Sequence, residues 1–428
     1  MRMALAVVLA GTMTSTAAFA RDWYVSSKGT GKDGTKEKPS KDLGIISALL
    51  EPGDRVLIAA GSYTGRSESG ADTVLVPVEI LGGYSDDFSK RDPWGAHQTV
   101  FTGSRASVNF NTGTRLSIST AKYSSALKPI AHKIVVDGIL FDMGPRNTYT
   151  SEAEVLIKRK GSGGTVPTPD SPALGITTGQ KSEILVQNCI VTNAASSQGA
   201  FTLAPGKAAK VVVKNNASIN NTGFGFHLGR SFAGETAADF PEYTFENNLA
   251  VLIEKYDAFS QTQGGSGVML EAYTTVTMSG NVMAMNDFYG IDNARRAPKV
   301  VLKNNVFFGN LIADYLDFST KLKAEVLADE AQTVGSAEGN SSKEAKLAVP
   351  EKWAQTWLAR NVIDRNVAEA KVKVPNTGAN QVRSILGLPV QGTTLKLDSD
   401  VWLPRMQLAD AIAAATKYNG AGPVKPAP

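Results

Sequence analysis

The chain has 428 residues, 42% of them hydrophobic, with 40 Gly, 19 Pro and one Cys, so it can bury a large core and is not a disordered chain. Lys and Arg number 44 against 40 Asp and Glu, a formal net charge of +4, too weak a basic excess to make nucleic acid the expected partner. A single cysteine, Cys189, excludes a disulfide framework and a Cys-based zinc site, and His97, His132 and His227 are too scattered for a His-rich metal motif. No cofactor is expected; a metal such as Ca2+ would use oxygen ligands, and no such site is recognisable.

Residues 1–20 read as a secretory signal, with Arg2, the apolar stretch 4–10 and Ala18-Phe19-Ala20 as a cleavage site. That stretch falls well short of the roughly 20 apolar residues that span a bilayer, and no later segment reaches it, so the expected location is the periplasm or outside the cell. Next comes Trp23-Tyr24-Val25, a strand-like run followed by Gly29, Gly31 and Gly34. Residues 42–50 predict an amphipathic helix with Leu43, Ile46, Leu49 and Leu50 on one face, able to cover an open apolar end. A second strand-like run, Arg55-Val56-Leu57-Ile58, follows Pro52-Gly53-Asp54 and precedes Gly61-Ser62-Tyr63. Asp86-Asp87 stands in a turn-like Ser-Asp-Asp-Phe context. Residues 109–129 and 146–172 are rich in Ser, Thr, Gly and Pro and read as protruding loops, the second carrying the basic tract Lys158-Arg159-Lys160.

The middle of the chain repeats. Strand-like stretches end in a polar pair at Gln187-Asn188, Asn215-Asn216, Asn247-Asn248, Gly280-Asn281 and Asn304-Asn305, the last Asn of each lying 28, 32, 33 and 24 residues before the next. Five residues on, Asn returns as Asn193, Asn221, Asn286 and Asn310, with Ile253 the exception. This pattern fits a coil of short strands, each pairing in parallel with the same strand of the next coil about 4.8 Å away. Asn suits the corners because stacked amides satisfy one another and because Asn tolerates the left-handed backbone. Cys189 reads as a small buried hydrophobe. After residue 320 the texture turns Ala, Glu and Lys rich, broken at 335–342, with helices expected after Pro350 and over 405–417; 321–428 is read as a C-terminal cap and trailing tail.

With these coils over about 130–320 and the N-terminal runs, the sequence resembles the right-handed parallel β-helix proteins of the pectate-lyase-like superfamily, an exported all-β solenoid. Ile80-Leu81-Gly82-Gly83-Tyr84 and Arg91-Asp92-Pro93-Trp94 add to that resemblance. It implies residues 21–320 as the β-helix and an acidic polysaccharide as the ligand of a groove along one face. The catalytic signatures of the superfamily are not carried over. Arg296-Ala297-Pro298 matches only half of the Arg-x-Pro-x-x-Arg element of pectate lyases, their acidic calcium ligands are not recognisable, and the polygalacturonase and alginate-epimerase motifs are absent.

Counting from the Asn positions aligns side chains across coils. Eleven residues on lie Gly199, His227, Phe259, Asp292 and Leu316; fourteen on lie Thr202, Arg230, Thr262, Arg295 and Ser319. His227 with Arg230 and Asp292 with Arg295 would then share two columns, two coils or roughly 10 Å apart. The expected site has His227, Arg295 and Asp292 as catalytic groups, with Arg230, Arg296, Tyr256 and Tyr289 binding substrate. In β-elimination from a uronate, an arginine would neutralise the carboxylate and His227 would take the neighbouring proton. Two carboxylates among Asp257, Asp292, Asp314 and Asp317 would instead serve hydrolysis. The alternative is a structural or adhesive envelope protein without catalysis, its His and Asp residues making corner contacts and surface ion pairs.

Overall fold

The computed structural model describes residues 20–66, 70–103, 113–121, 133–147, 171–232, 236–255, 264–350 and 405–428, with isolated positions between 351 and 396. The expected leader, apart from Ala20, most of the helix after Pro350, and the basic tract at 158–160 lie outside them. The rest coils as the Asn spacing predicts. One turn runs through Glu183–Gln187, Ile190–Thr192 and Phe201–Ala204, and each of these strands pairs in parallel with its counterpart one turn on, at Lys210–Lys214, Ala217–Ile219 and, from Phe201 to Leu203, Phe224–Leu228. Repetition builds three stacked sheets of ten, eight and nine described strands, here the first, second and third, and the chain is a parallel β-helix.

The alternation of side chains along each strand fills the interior. Val56, Ile80, Val136, Val186, Val213, Phe245, Met278 and Leu302 form one fully buried column of the first sheet, each rung stabilised by roughly 1.5–3 kcal/mol of side-chain burial. Opposite them, Leu203, Leu228 and Leu270 descend the third sheet, and Phe201 stacks on Phe226 with ring centroids 4.6 Å apart.

The first corner is an asparagine ladder. The Oδ1 of Asn216 accepts from the backbone N of Cys189 at 2.9 Å, and the same bond recurs from Asn216 to Asn248, Asn248 to Asn281, Asn281 to Asn305 and Asn305 to Asn340. Each Nδ2 turns back to a strand carbonyl, Val186, Val213, Phe245, Met278 and Leu302 in order. In the first of these coils the ladder residue is Cys189, one position later than the Asn188 used to set the spacing, so that repeat is 27 residues rather than 28. Burial pushes the Cys189 thiol up to about 12, which leaves it an inert hydrophobe. The residue before each rung takes the left-handed backbone, with φ 55° at Asn188, 57° at Asn215, 52° at Asn247, 62° at Gly280, 52° at Asn304 and 64° at Gly339. At the second corner Asn221, Asn286 and Asn310 likewise receive the backbone N of Ala194, Ile253 and Asn286.

The ends differ in part from expectation. The helix over the N-terminal end spans only Leu43–Ile46, capped by Asp42, whose side chain accepts from Ile45 N at 3.0 Å. Leu43, Ile46 and Leu50 are buried, but Leu49 lies in the turn beyond the helix and is 53% exposed. Within the loop expected at 109–129, Leu116–Ser119 is a strand of the third sheet between Asp72–Val74 and Leu174–Thr177, and Arg115 is buried against Asp72 at 2.7 Å. At the far end Thr320–Leu322 folds back antiparallel on Ala313–Asp317, Leu327 is fully buried, and Val334–Glu338 adds the last rung of the first sheet where a helix break was expected. Residues 405–428 run instead along the outer face of the second sheet. There the outward column Ile190, Ala217, Leu249, Val282 and Val306 would face water, and helix Leu408–Ala414 with Tyr418 and Ala421 covers it.

Candidate functional site

The third sheet presents its polar residues outward. Thr202, His227, Met269, Asp292 and Leu316 are successive partners in its register. His227 and Asp292 therefore do share a column two turns apart. The residue between them is Met269, not Phe259, because the intervening coil inserts residues ahead of Ser266–Leu270; Gly199 likewise stands outside the column, where Thr202 takes its place. Residues 256–263, which include Tyr256, Asp257 and the polar run Ser260, Gln261 and Thr262, lie outside the described residues.

Two positions after Met269 is Glu271, which no fixed spacing from Asn248 singles out. Its Oε1 accepts from His227 Nε2 at 3.0 Å and from Arg295 Nη1, joining the coils of His227 and Arg295. The Glu271 side chain is 12% exposed, while Arg295 is 58% exposed at the rim. Burial works against the Glu271 charge, yet the bonds from His227 and Arg295 outweigh it and hold the carboxyl down at about 2. His227 presents its Nε2 to Glu271, whereas its Nδ1 is buried with no hydrogen-bond partner. A nitrogen in either condition is badly placed to take a proton from a ligand.

Asp292 has the opposite character. Burial raises its pKa, against the lowering effects of the Ala294 backbone N at 3.0 Å and of Arg295. The strip thus holds one carboxylate kept ionised and a second that takes up a proton more readily.

The remaining expected binders sit around this pair. Arg230 donates from Nε to Ala272 O at 2.8 Å and lies over the Tyr273 ring at 4.8 Å, and Arg296 lies over Phe318 at 3.5 Å. Tyr273 and Phe318 are 42% and 50% exposed, so each arginine forms a planar, partly open pair with an aromatic ring. Tyr289 does not join them: it is buried among Phe288, Ala313 and Leu316, in register with Ala313 rather than beside an exposed ring. Asp314 and Asp317 are also buried. They accept from Ser342 Oγ at 2.8 Å and Thr333 Oγ1 at 2.6 Å, holding the C-terminal cap and not a cleft. Asp86 pairs with Lys28 at 2.6 Å, and Asp87 closes its turn through Ser85 and Ser89.

No family model matches the chain, and no curated protein does. Among solved structures, it is similar to the crystal structure of pectate lyase Pel9A at 13% identity and TM-score 0.34, over 78% of this chain and 80% of that one. A rhamnogalacturonan lyase is similar at 11% identity and TM-score 0.33, over 78% and 90% of the two chains.

Proposed function

We propose that the outer face of the third sheet binds an acidic polysaccharide of the cell exterior and modifies it by elimination, as a member of the pectate-lyase-like superfamily of exported β-helices. The observation that carries this reading is the pair of carboxyl groups with opposed proton affinities, Glu271 and Asp292, on one strip with the open cation Arg295. A uronate carboxylate arriving at Arg295 competes with Glu271 for the guanidinium. Loss of that partner raises the Glu271 pKa from its resting value, turning a spent ion-pair member into a base. Glu271 then takes the proton from the carbon beside the substrate carboxylate, Asp292 gives a proton to the departing glycosidic oxygen, and a carbon–carbon double bond forms as the carbon–oxygen bond breaks. His227 keeps Glu271 in place, and the Arg230–Tyr273 and Arg296–Phe318 pairs offer planar surfaces to flanking sugars. Among the described residues no helix is long and apolar enough to cross a membrane.

The test is to incubate the protein with a panel of uronate polysaccharides while following ultraviolet absorbance of unsaturated products, reducing ends and glycan binding. Product formation that is lost in Glu271→Gln and in Asp292→Asn supports elimination at this strip. Binding without product supports the structural or adhesive alternative, and neither binding nor product on any glycan removes the polysaccharide reading altogether.

A further inference from the structure

Two arginines are the largest fully buried side chains among the described residues, and they meet at one corner. Arg115 leads into the third-sheet strand Leu116–Ser119, and Arg146 ends the short turn Gly144–Arg146 that follows the second-sheet strand Ile139–Asp142. Both stems pass over Gly103, where an added Cβ would stand 3.2 Å from Cδ of Arg146 and 3.7 Å from Cδ of Arg115. Charged side chains are rarely buried to this extent unless they are paired. Arg115 is paired: its Nη1 donates to Asp72 and its Nη2 to Tyr63 O, both at 2.7 Å, and its guanidinium lies over the Phe101 ring at 4.5 Å. Arg146 donates from Nη2 to Gly113 O and has no carboxylate partner among the described residues. Asp142, four positions before it, is engaged by Asn193 Nδ2 and Gly144 N, both at 2.9 Å, and by Arg405 at 3.8 Å.

Three guanidinium nitrogens are left over at this corner. Arg115 Nε and Arg146 Nε and Nη1 are buried with no hydrogen-bond partner. Buried donors of this kind call for an acceptor, and a charged one leaves the larger debt. The two guanidinium groups and Asp72 also leave one positive charge unanswered. Burial and the charge of Arg115 push the Arg146 pKa down to about 10, which still leaves it protonated at neutral pH. A single monovalent anion supplies both the missing acceptor and the missing charge. Closure of these nitrogens to solvent selects a small ion over a polyatomic one, and guanidinium, more weakly hydrated than ammonium, suits such a dry site.

We propose that Arg115 and Arg146 bind a chloride ion inside this corner, where it neutralises the pair and ties the second sheet to the third. Three turns of the coil, roughly 15 Å, separate the strand that Arg115 leads from that of His227, so occupation of the site is independent of the third-sheet strip. Urea denaturation of the full chain tests the proposal, with sodium gluconate exchanged for sodium chloride at one ionic strength. A single site that exists only in the folded chain raises the folded-to-unfolded ratio up to tenfold for each tenfold of chloride above the dissociation constant. Arg146→Met keeps the length of the stem and removes the charge, so its ratio does not respond to chloride. Crystals of the wild-type chain grown in sodium bromide read the ion directly, with an anomalous-scattering peak expected between the two guanidinium groups. The proposal fails if wild type and Arg146→Met respond alike to chloride, or if bromide gives no peak at this corner. Should Arg146→Met not fold, the bromide peak alone decides. Failure here leaves the elimination assay on the third sheet untouched.

Discussion

The asparagine corner and the third-sheet strip use the same device, polar side chains stacked rung on rung, to opposite ends. At the corner every rung from Asn216 to Asn305 repeats one residue type and each amide is answered by its neighbour, so the column closes on itself and is buried. On the strip, successive rungs carry Thr202, His227, Met269, Asp292 and Leu316, and the charges are answered diagonally through Glu271. A column whose members satisfy one another stabilises the fold; one whose members differ keeps charge available at the surface.

The widest separation between the two regions should appear on truncating a ladder rung. Asn248→Ala removes the acceptor of Asn216 N and the donor to Val213 O inside a dry column. Each buried group left unpaired costs about 1–3 kcal/mol, so a loss of roughly 3 kcal/mol or more is expected in urea denaturation, with unchanged chemistry on the strip in whatever fraction remains folded. A stability close to wild type would show that water replaces the amide and that the ladder is not what holds the corner.

On the strip the larger effect belongs to Glu271. A carboxyl held at about 2 in the folded chain against 4.5 when free stabilises the fold above about pH 4.5, and that contribution disappears as pH falls through about 2. Glu271→Gln should therefore unfold more easily than wild type at neutral pH, and the gap should close between these two values on acid titration followed by circular dichroism. A gap that persists below pH 2 would assign the loss to packing rather than to the ion pairs with His227 and Arg295. The same variant should show no elimination product.

Much of the fold was legible in the sequence because the corner demands one residue type at a nearly constant spacing. The slip at Asn188 shows the limit: where Cys189 replaces the ladder Asn, the neighbouring left-handed Asn takes its place in the pattern and the count moves by one. The site was legible only in part. His227 and Asp292 were found because their coils carry the same offset from corner to third strand, whereas Glu271 stands after an insertion that defeats any fixed count. A count made forward from the buried apolar run Val268 to Leu270 would have reached it at the next residue, since that run marks where the third strand resumes. The path of residues 405–428 had a weaker signal, the surplus of apolar residues on the outward face of the second sheet, which asks for a cover but does not name it.

Asp292 supplies the smallest effect and the finest test, because its sign is opposite to that of Glu271. Burial raises its pKa, so proton uptake favours the folded chain: the contribution is complete below the free value of 3.8 and is lost as pH rises through the folded value. Asp292→Asn keeps the shape and removes the cost of holding a half-buried charge. At neutral pH the variant should be slightly more stable than wild type, by less than about 1 kcal/mol because a neutral amide accepts the bond from Ala294 N less strongly than the carboxylate does, and below pH 3.8 the two should coincide. A variant less stable than wild type at neutral pH would mean that Arg295 and Ala294 overcompensate burial, which removes the ground for a raised proton affinity at Asp292. If the gain in stability is accompanied by loss of product, Asp292 is retained at a cost to folding, which a residue serving only the stack would have no reason to impose.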